Sequence, residues 1–159
     1  MADTRTFIIG INGKLYVNQT PLTALPTMTE EGWQVLQHCT DITINQGKIE
    51  ADITTRANDT GYEQTAGVLK SCSIETELIV RPDSEVQEML EDAYESGTEI
   101  ALAALTGDKA PTSPNRTIGI AGNFTVTDLS MTQSLREAMK YRITAKASGF
   151  TKRIRIEGT

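Results

Sequence analysis

Between Leu69 and Val80 the chain alternates apolar and polar residues without a break. In an extended strand Cys72, Ile74, Thr76, Leu78 and Val80 share one side, and Ser71, Ser73, Glu75 and Glu77 share the other. A helix would scatter these apolar side chains around its whole circumference, so the period of two excludes it. Pro82 ends the run because it has no N–H to give to a ladder. One face of this strand must be buried while the other meets water. Its backbone groups need neighbouring strands on both edges. The pattern therefore predicts an antiparallel sheet.

Other segments carry the same signal. Thr6–Val17 reads as a hairpin, with Phe7-Ile8-Ile9 and Lys14-Leu15-Tyr16-Val17 turning at Asn12-Gly13. A short segment at Trp33–Gln37 leads to a strand near Asp41-Ile-Thr-Ile-Asn45, and Lys48–Arg56 alternates as a further strand. Glu99–Thr106 and Ile118–Thr127 follow. The apolar phase then shifts to Leu129 and Met131, which predicts a bulge near Asp128. Ala138–Ser148 alternates up to Gly149, and Phe150–Gly158 reads as a last strand.

One helix is predicted, at about 83–96. Asp83 or Ser84 caps its start and Gly97 its end. Val86, Met89, Leu90, Ala93 and Tyr94 form its apolar stripe, and the other face is acidic. Residues 18–32, with Pro21 and Pro26, read as an extended arm. Ala57–Gly67 is too polar for core and too long for a tight turn, so it reads as a protruding loop or hairpin. The expected fold is mainly β in a single domain spanning 1–159. Two packed sheets form a sandwich or barrel flanked by the one helix, which removes open edges.

The composition agrees with a globular domain: 38% of residues are hydrophobic and 23% charged. No apolar run approaches the ~20 residues of a membrane span. The start lacks the pattern of a secretory leader, which implies synthesis in a cytoplasm. The net charge of −6 is uneven, with residues 136–159 at +5 and the remainder at −11. A basic end on an acidic body can steer one copy toward another. The acidic body argues against sequence-specific nucleic-acid binding.

The residues offer little chemistry. His38 is the single histidine, and its neighbour Cys39 is too close in sequence to form a dyad with it. Glu75 with Glu77, and Glu50 with Asp52, are spaced as solvated strand faces. Cys39 and Cys72 lack metal-ligand spacing and read as thiols in a reducing compartment. Gly10–Gly13 and Gly119–Gly122 lack the lysine and helix of a phosphate loop. The expectation is a non-enzymatic chain with no catalytic residue, cofactor or metal. The competing reading, a small-ligand-binding β-barrel, requires a dry apolar pocket with a few convergent polar groups.

The order of these features resembles the phage tail tube, or major tail, protein family. The resemblance runs from Gly13-Lys-Leu-Tyr-Val17 through Trp33, Asp41-Ile-Thr-Ile44, Glu50–Arg56 and Ser73–Val80. It continues through Glu85–Ser96, Gly97-Thr-Glu-Ile-Ala-Leu102 and Gly119–Val126 to Tyr141-Arg-Ile-Thr-Ala-Lys-Ala-Ser-Gly149. Type VI secretion tube proteins are similar in architecture. The resemblance implies a virion structural protein made in the host bacterium. Its copies form homohexameric rings that share an inner β-barrel and stack into a hollow tube. DNA passes through that tube on ejection without specific binding, and the outer partners are other tail proteins, including a sheath where the tail contracts. The alternative within this resemblance is the tube of a phage-like injection or secretion machine. The expected inter-ring contacts are Arg56, Asn58, Asp59, Tyr62 and Glu63. Ser71, Ser73, Glu75 and Glu77 are expected to line the lumen, which should be acidic or neutral so that phosphates do not stick. Leu22 and Leu25 in the arm at 18–32, and Arg153 and Arg155 in a C-terminal arm at 150–159, are the remaining contact candidates.

Overall fold

A computed structural model describes residues 10–57 and 60–159. Its elements in chain order are β1 (Lys14–Asn18), β2 (Gln34–Val35), β3 (Cys39–Asp52), β4 (Thr65–Ile79), α1 (Glu85–Ser96), β5 (Ile100–Leu105), β6 (Arg116–Thr132) and β7 (Lys140–Glu157). The strands form one antiparallel sheet in the order β2-β1-β5-β6-β7-β4-β3. The mainly β chain with one helix is as expected, but the strands belong to a single sheet and not to two.

The alternating segments are longer and more continuous than their glycines suggest. β3 joins the two strands expected at 41–45 and 48–56, and Gly47 pairs with Ser71 in the regular stretch of a ladder that shifts register at Cys39/Asp41 and at Ile49/Glu50. β7 runs through Gly149 because a bulge absorbs it. The register passes from Phe124↔Ala147 to Gly122↔Thr151, which leaves Ser148, Gly149 and Phe150 opposite Asn123. A second shift between Val126 and Asp128 is the bulge that the phase change predicts. The first arm of the hairpin expected at Thr6–Val17 lies outside the described residues. At its expected turn the chain makes a 3-10 turn over Gly10–Asn12, and β1 is paired by β2 and β5.

Leu15 and Val17 of β1 and Ile74 and Leu78 of β4 lie in one buried cluster. β5, β6 and β7 stand between those strands in the sheet. In a flat sheet they would be roughly 19 Å apart at the usual strand spacing. The sheet must therefore curl, and α1 docks inside the curl through Leu90 and Ala93. The Ser84 hydroxyl caps α1 by accepting from Gln87 N, and Gly97 closes it at φ 67°, a left-handed turn that suits glycine. The side chain of Gln87 is buried and ties the helix start to the end of β4. It accepts from Arg81 N at 2.8 Å and donates to Ile79 O at 2.8 Å. Tyr94, at the margin of the predicted stripe, is 40% exposed.

The outer face of β1, β5 and β6 is also covered. Ala101, Ala103, Leu105 and Ala121 meet Leu22, Met28 and Trp33 from the segment that follows β1. Small alanines allow that segment to approach the sheet closely. Asn123 holds it like a strand partner, accepting from Leu22 N at 2.8 Å and donating to Leu22 O at 2.9 Å. Residues 18–32 thus lie folded on the sheet.

Gly122 marks the tightest approach in the β6–β7 bulge. A Cβ there would lie 2.2 Å from Phe150 O and 2.6 Å from Thr151 Cα. Gly122→Ala is expected to cost about 1–3 kcal/mol, the usual range for overpacking. Urea unfolding measures it, and an unchanged midpoint would show that the bulge yields freely.

Candidate functional site

The register places β6, β7, β4 and β3 side by side and exposes a continuous polar face. On β4 this face carries Ser71, Ser73, Glu75 and Glu77, with Gly47, Asn45, Thr43 and Asp41 as their respective partners on β3. On β7 it carries Arg142, Thr144 and Lys146 opposite Glu77, Glu75 and Ser73. Lys140 Nζ reaches Glu77 Oε1 at 3.2 Å, and Asn45 Nδ2 donates to Glu75 Oε1 at 3.4 Å. The hydrogen bond and charge of Glu77 hold the Lys140 ammonium above its ordinary range. The face therefore mixes charges: Asp41, Glu75 and Glu77 stand beside Lys140, Arg142 and Lys146. The pattern of β4 alone does not contain these cations. Their signal was the alternation Lys140, Arg142, Thr144, Lys146, in opposite phase to Tyr141, Ile143 and Ala145.

β4 pairs with β7 only from Ser73 to Ile79, whereas its pairing with β3 continues to Thr65. Beyond Ser71 the β3–β4 hairpin projects as a two-stranded ribbon. Ile53 N donates to Gln64 O at 2.9 Å, and Gln64 N donates to Thr54 Oγ1 at 2.8 Å. Past this last rung lie Arg56, Tyr62 and Glu63, all exposed, with Tyr62 at 79%. Asn58 and Asp59 lie outside the described residues. The ribbon itself exposes Ile49, Ile53, Val68 and Leu69 by 50–60%. A two-stranded ribbon is marginal alone in water, and a cluster of exposed apolar residues marks a contact surface. The alternation of Ile49 and Ile53 had suggested a face buried within the chain.

The remaining candidates separate. Leu22 is buried against the sheet, in the segment that Asn123 holds, while Leu25 is 55% exposed. Arg153 and Arg155 are exposed on β7, opposite Ile120 and Ile118 of β6. They line a cleft of about 960 Å³ that Ile42 and Ile44 of β3 bound on the far side. Residues 150–157 therefore belong to the sheet. His38 is exposed at φ 63°, and burial pushes the Cys39 thiol up, the reverse of what a nucleophile requires.

A curled sheet whose β3 edge is unpaired among the described residues, with a polar face and an apolar ribbon, has the features of a structural subunit rather than of a catalytic site. The family model described as phage tail tube protein matches residues 27–153, and the chain belongs to that family. Among solved structures, it is similar to the tail of an empty gene transfer agent particle determined with C6 symmetry. The TM-score is 0.68 at 16% identity, covering 91% of this chain and 96% of that one. The virion of a native gene transfer agent particle gives 0.69 at 13% identity, covering 92% and 98%. The SPP1 tail tube gives 0.68 at 12% identity, covering 96% and 80%. No curated protein sequence matches the chain.

Proposed function

We propose that this tail tube subunit closes into hexameric rings that stack into the hollow tube of a virion tail, through which DNA travels. The observation that carries the proposal is the β3–β4 ribbon, which leaves its own sheet with apolar side chains exposed. The C6 symmetry of the similar gene transfer agent tail supports the ring. A neighbouring copy covers the edge of β3 that is free among the described residues, and the rings jointly close the barrel that one chain leaves open. Arg56, Tyr62 and Glu63 at the ribbon tip contact the next ring, and Asn58 and Asp59 are assigned to the same contact from the sequence. Leu25, Arg153 and Arg155 face other copies, while Leu22 anchors its own segment.

The polar face with Ser71, Ser73, Glu75 and Glu77 lines the lumen. A bare row of Lys140, Arg142 and Lys146 would hold phosphates, and the carboxylates of β4 offset it. The chain is made in the host cytoplasm and meets other tail proteins at the ends of the tube, with a sheath outside it in a contractile tail.

Negative-stain microscopy of the purified protein is expected to show tubes with a central channel. In those tubes Ser73→Cys, placed in a Cys39→Ser and Cys72→Ser background, should react with a small maleimide and resist one carried on a large polymer. A strictly monomeric sample at high concentration would sink the tube reading. Equal labelling by both reagents would sink only the lumen assignment.

A further inference from the structure

Lys48 and Lys70 are direct cross-strand partners on the ribbon. Like charges placed opposite each other destabilise a strand pair. Lys152 and Arg153 of β7 face them across a second cleft of about 800 Å³, whose lining contains no carboxylate among the described residues. Among the described residues none of these four cations forms an ion pair. The cleft is thus a built concentration of positive charge without a counter-charge of its own.

Its position selects the partner. Lys48 and Lys70 share a side with Gln46, Cys72, Ile44 and Ile74, opposite the Ser71–Glu77 face. A polyanion running along the polar face cannot reach them. On the same chain α1 presents Glu85, Glu88, Asp92 and Glu95, all exposed and spaced along one side of the helix. A ring built by rotation needs two different, complementary patches on each copy.

We propose that the cleft of Lys48, Lys70, Lys152 and Arg153 receives the carboxylate stripe of α1 from a neighbouring copy. This inference rests on the self-assembly proposed above. It adds the two surfaces and their pairing.

The test is a charge swap in the full chain. Lys70→Glu with Arg153→Glu should raise the concentration needed for tube formation roughly tenfold or more, since like charges would then meet at the interface. Glu88→Lys with Asp92→Lys should do the same, and the four substitutions together should restore tubes. Sedimentation and negative-stain microscopy read assembly, and circular dichroism checks the fold. The milder Lys48→Gln with Lys152→Gln should weaken assembly without reversing charge, so the proposal stays testable if the double glutamate variant misfolds. Tubes at normal yield from a well-folded reversed or neutral variant, or no rescue in the combined one, would overturn the pairing while leaving the tube reading intact. Duplex DNA binding by the wild-type chain that Lys70→Glu with Arg153→Glu abolishes, with assembly unaffected, would assign the cleft to nucleic acid and overturn it too. A wild-type chain that never assembles would remove both readings.

Discussion

Replacing residues 55–63 by a single Asn-Gly turn is expected to leave a folded monomer that no longer forms tubes. The last backbone rung of the β3–β4 ribbon is Ile53 to Gln64, so the replacement removes only what lies beyond it. Asn-Gly suits the tight turn that joins two antiparallel strands. Arg56, Tyr62 and Glu63 are exposed, and none of them belongs to either buried cluster. Stability should therefore change by less than about 1 kcal/mol, or roughly 2–4 °C in Tm for a chain of this size. The effect on assembly should be complete, because the proposed inter-ring contacts lie past the last backbone rung, where the subunit's own sheet does not use them. Sedimentation separates the outcomes. Tubes of normal length from the shortened chain would refute the role assigned to the tip. A large loss of Tm would show that the tip also stabilises the monomer.

Phe124→Ala tests the curl of the sheet. Phe124 is fully buried, at 0% exposure, and shares its cluster with Leu90 of α1, Ile143 of β7 and Val126. It stands beside the β6–β7 bulge, pairing with Ile100 on one side and Ala147 on the other. Removing the ring leaves a cavity bounded by backbone that pairing already constrains, so little collapse is available. The expected cost is about 3–5 kcal/mol. That is a large share of the roughly 5–15 kcal/mol that holds a domain folded. The urea midpoint should fall steeply, and subunit yield should fall with it. A loss below about 1 kcal/mol would mean that the curl relaxes to fill the space.

The chain's own residues settled each feature whose signal is local. The alternation through Ile74, Thr76 and Leu78 assigned β4 and its polar side. The cap at Ser84 and the stop at Gly97 bounded α1, and the phase shift past Thr127 located a bulge. Family resemblance came from the order of these pieces. Gly149 misled because a glycine can end a strand or sit in a bulge, and only the partner strand decides which.

Register is a relation between distant segments, and periodicity does not encode it. Tertiary pairing placed Lys140, Arg142 and Lys146 beside Glu75 and Glu77, and set Lys48 against Lys70. It joined all seven described strands in one sheet by inserting β5 between β1 and β6. It laid Leu22, Met28 and Trp33 over a second face that the alanines of β5 leave low enough to cover. The sequence by itself determined which side of β4 is polar. Only the fold decided that the same side of β7 carries the neutralising cations, because a strand's alternation states which residues share a face and not which strand lies next to it.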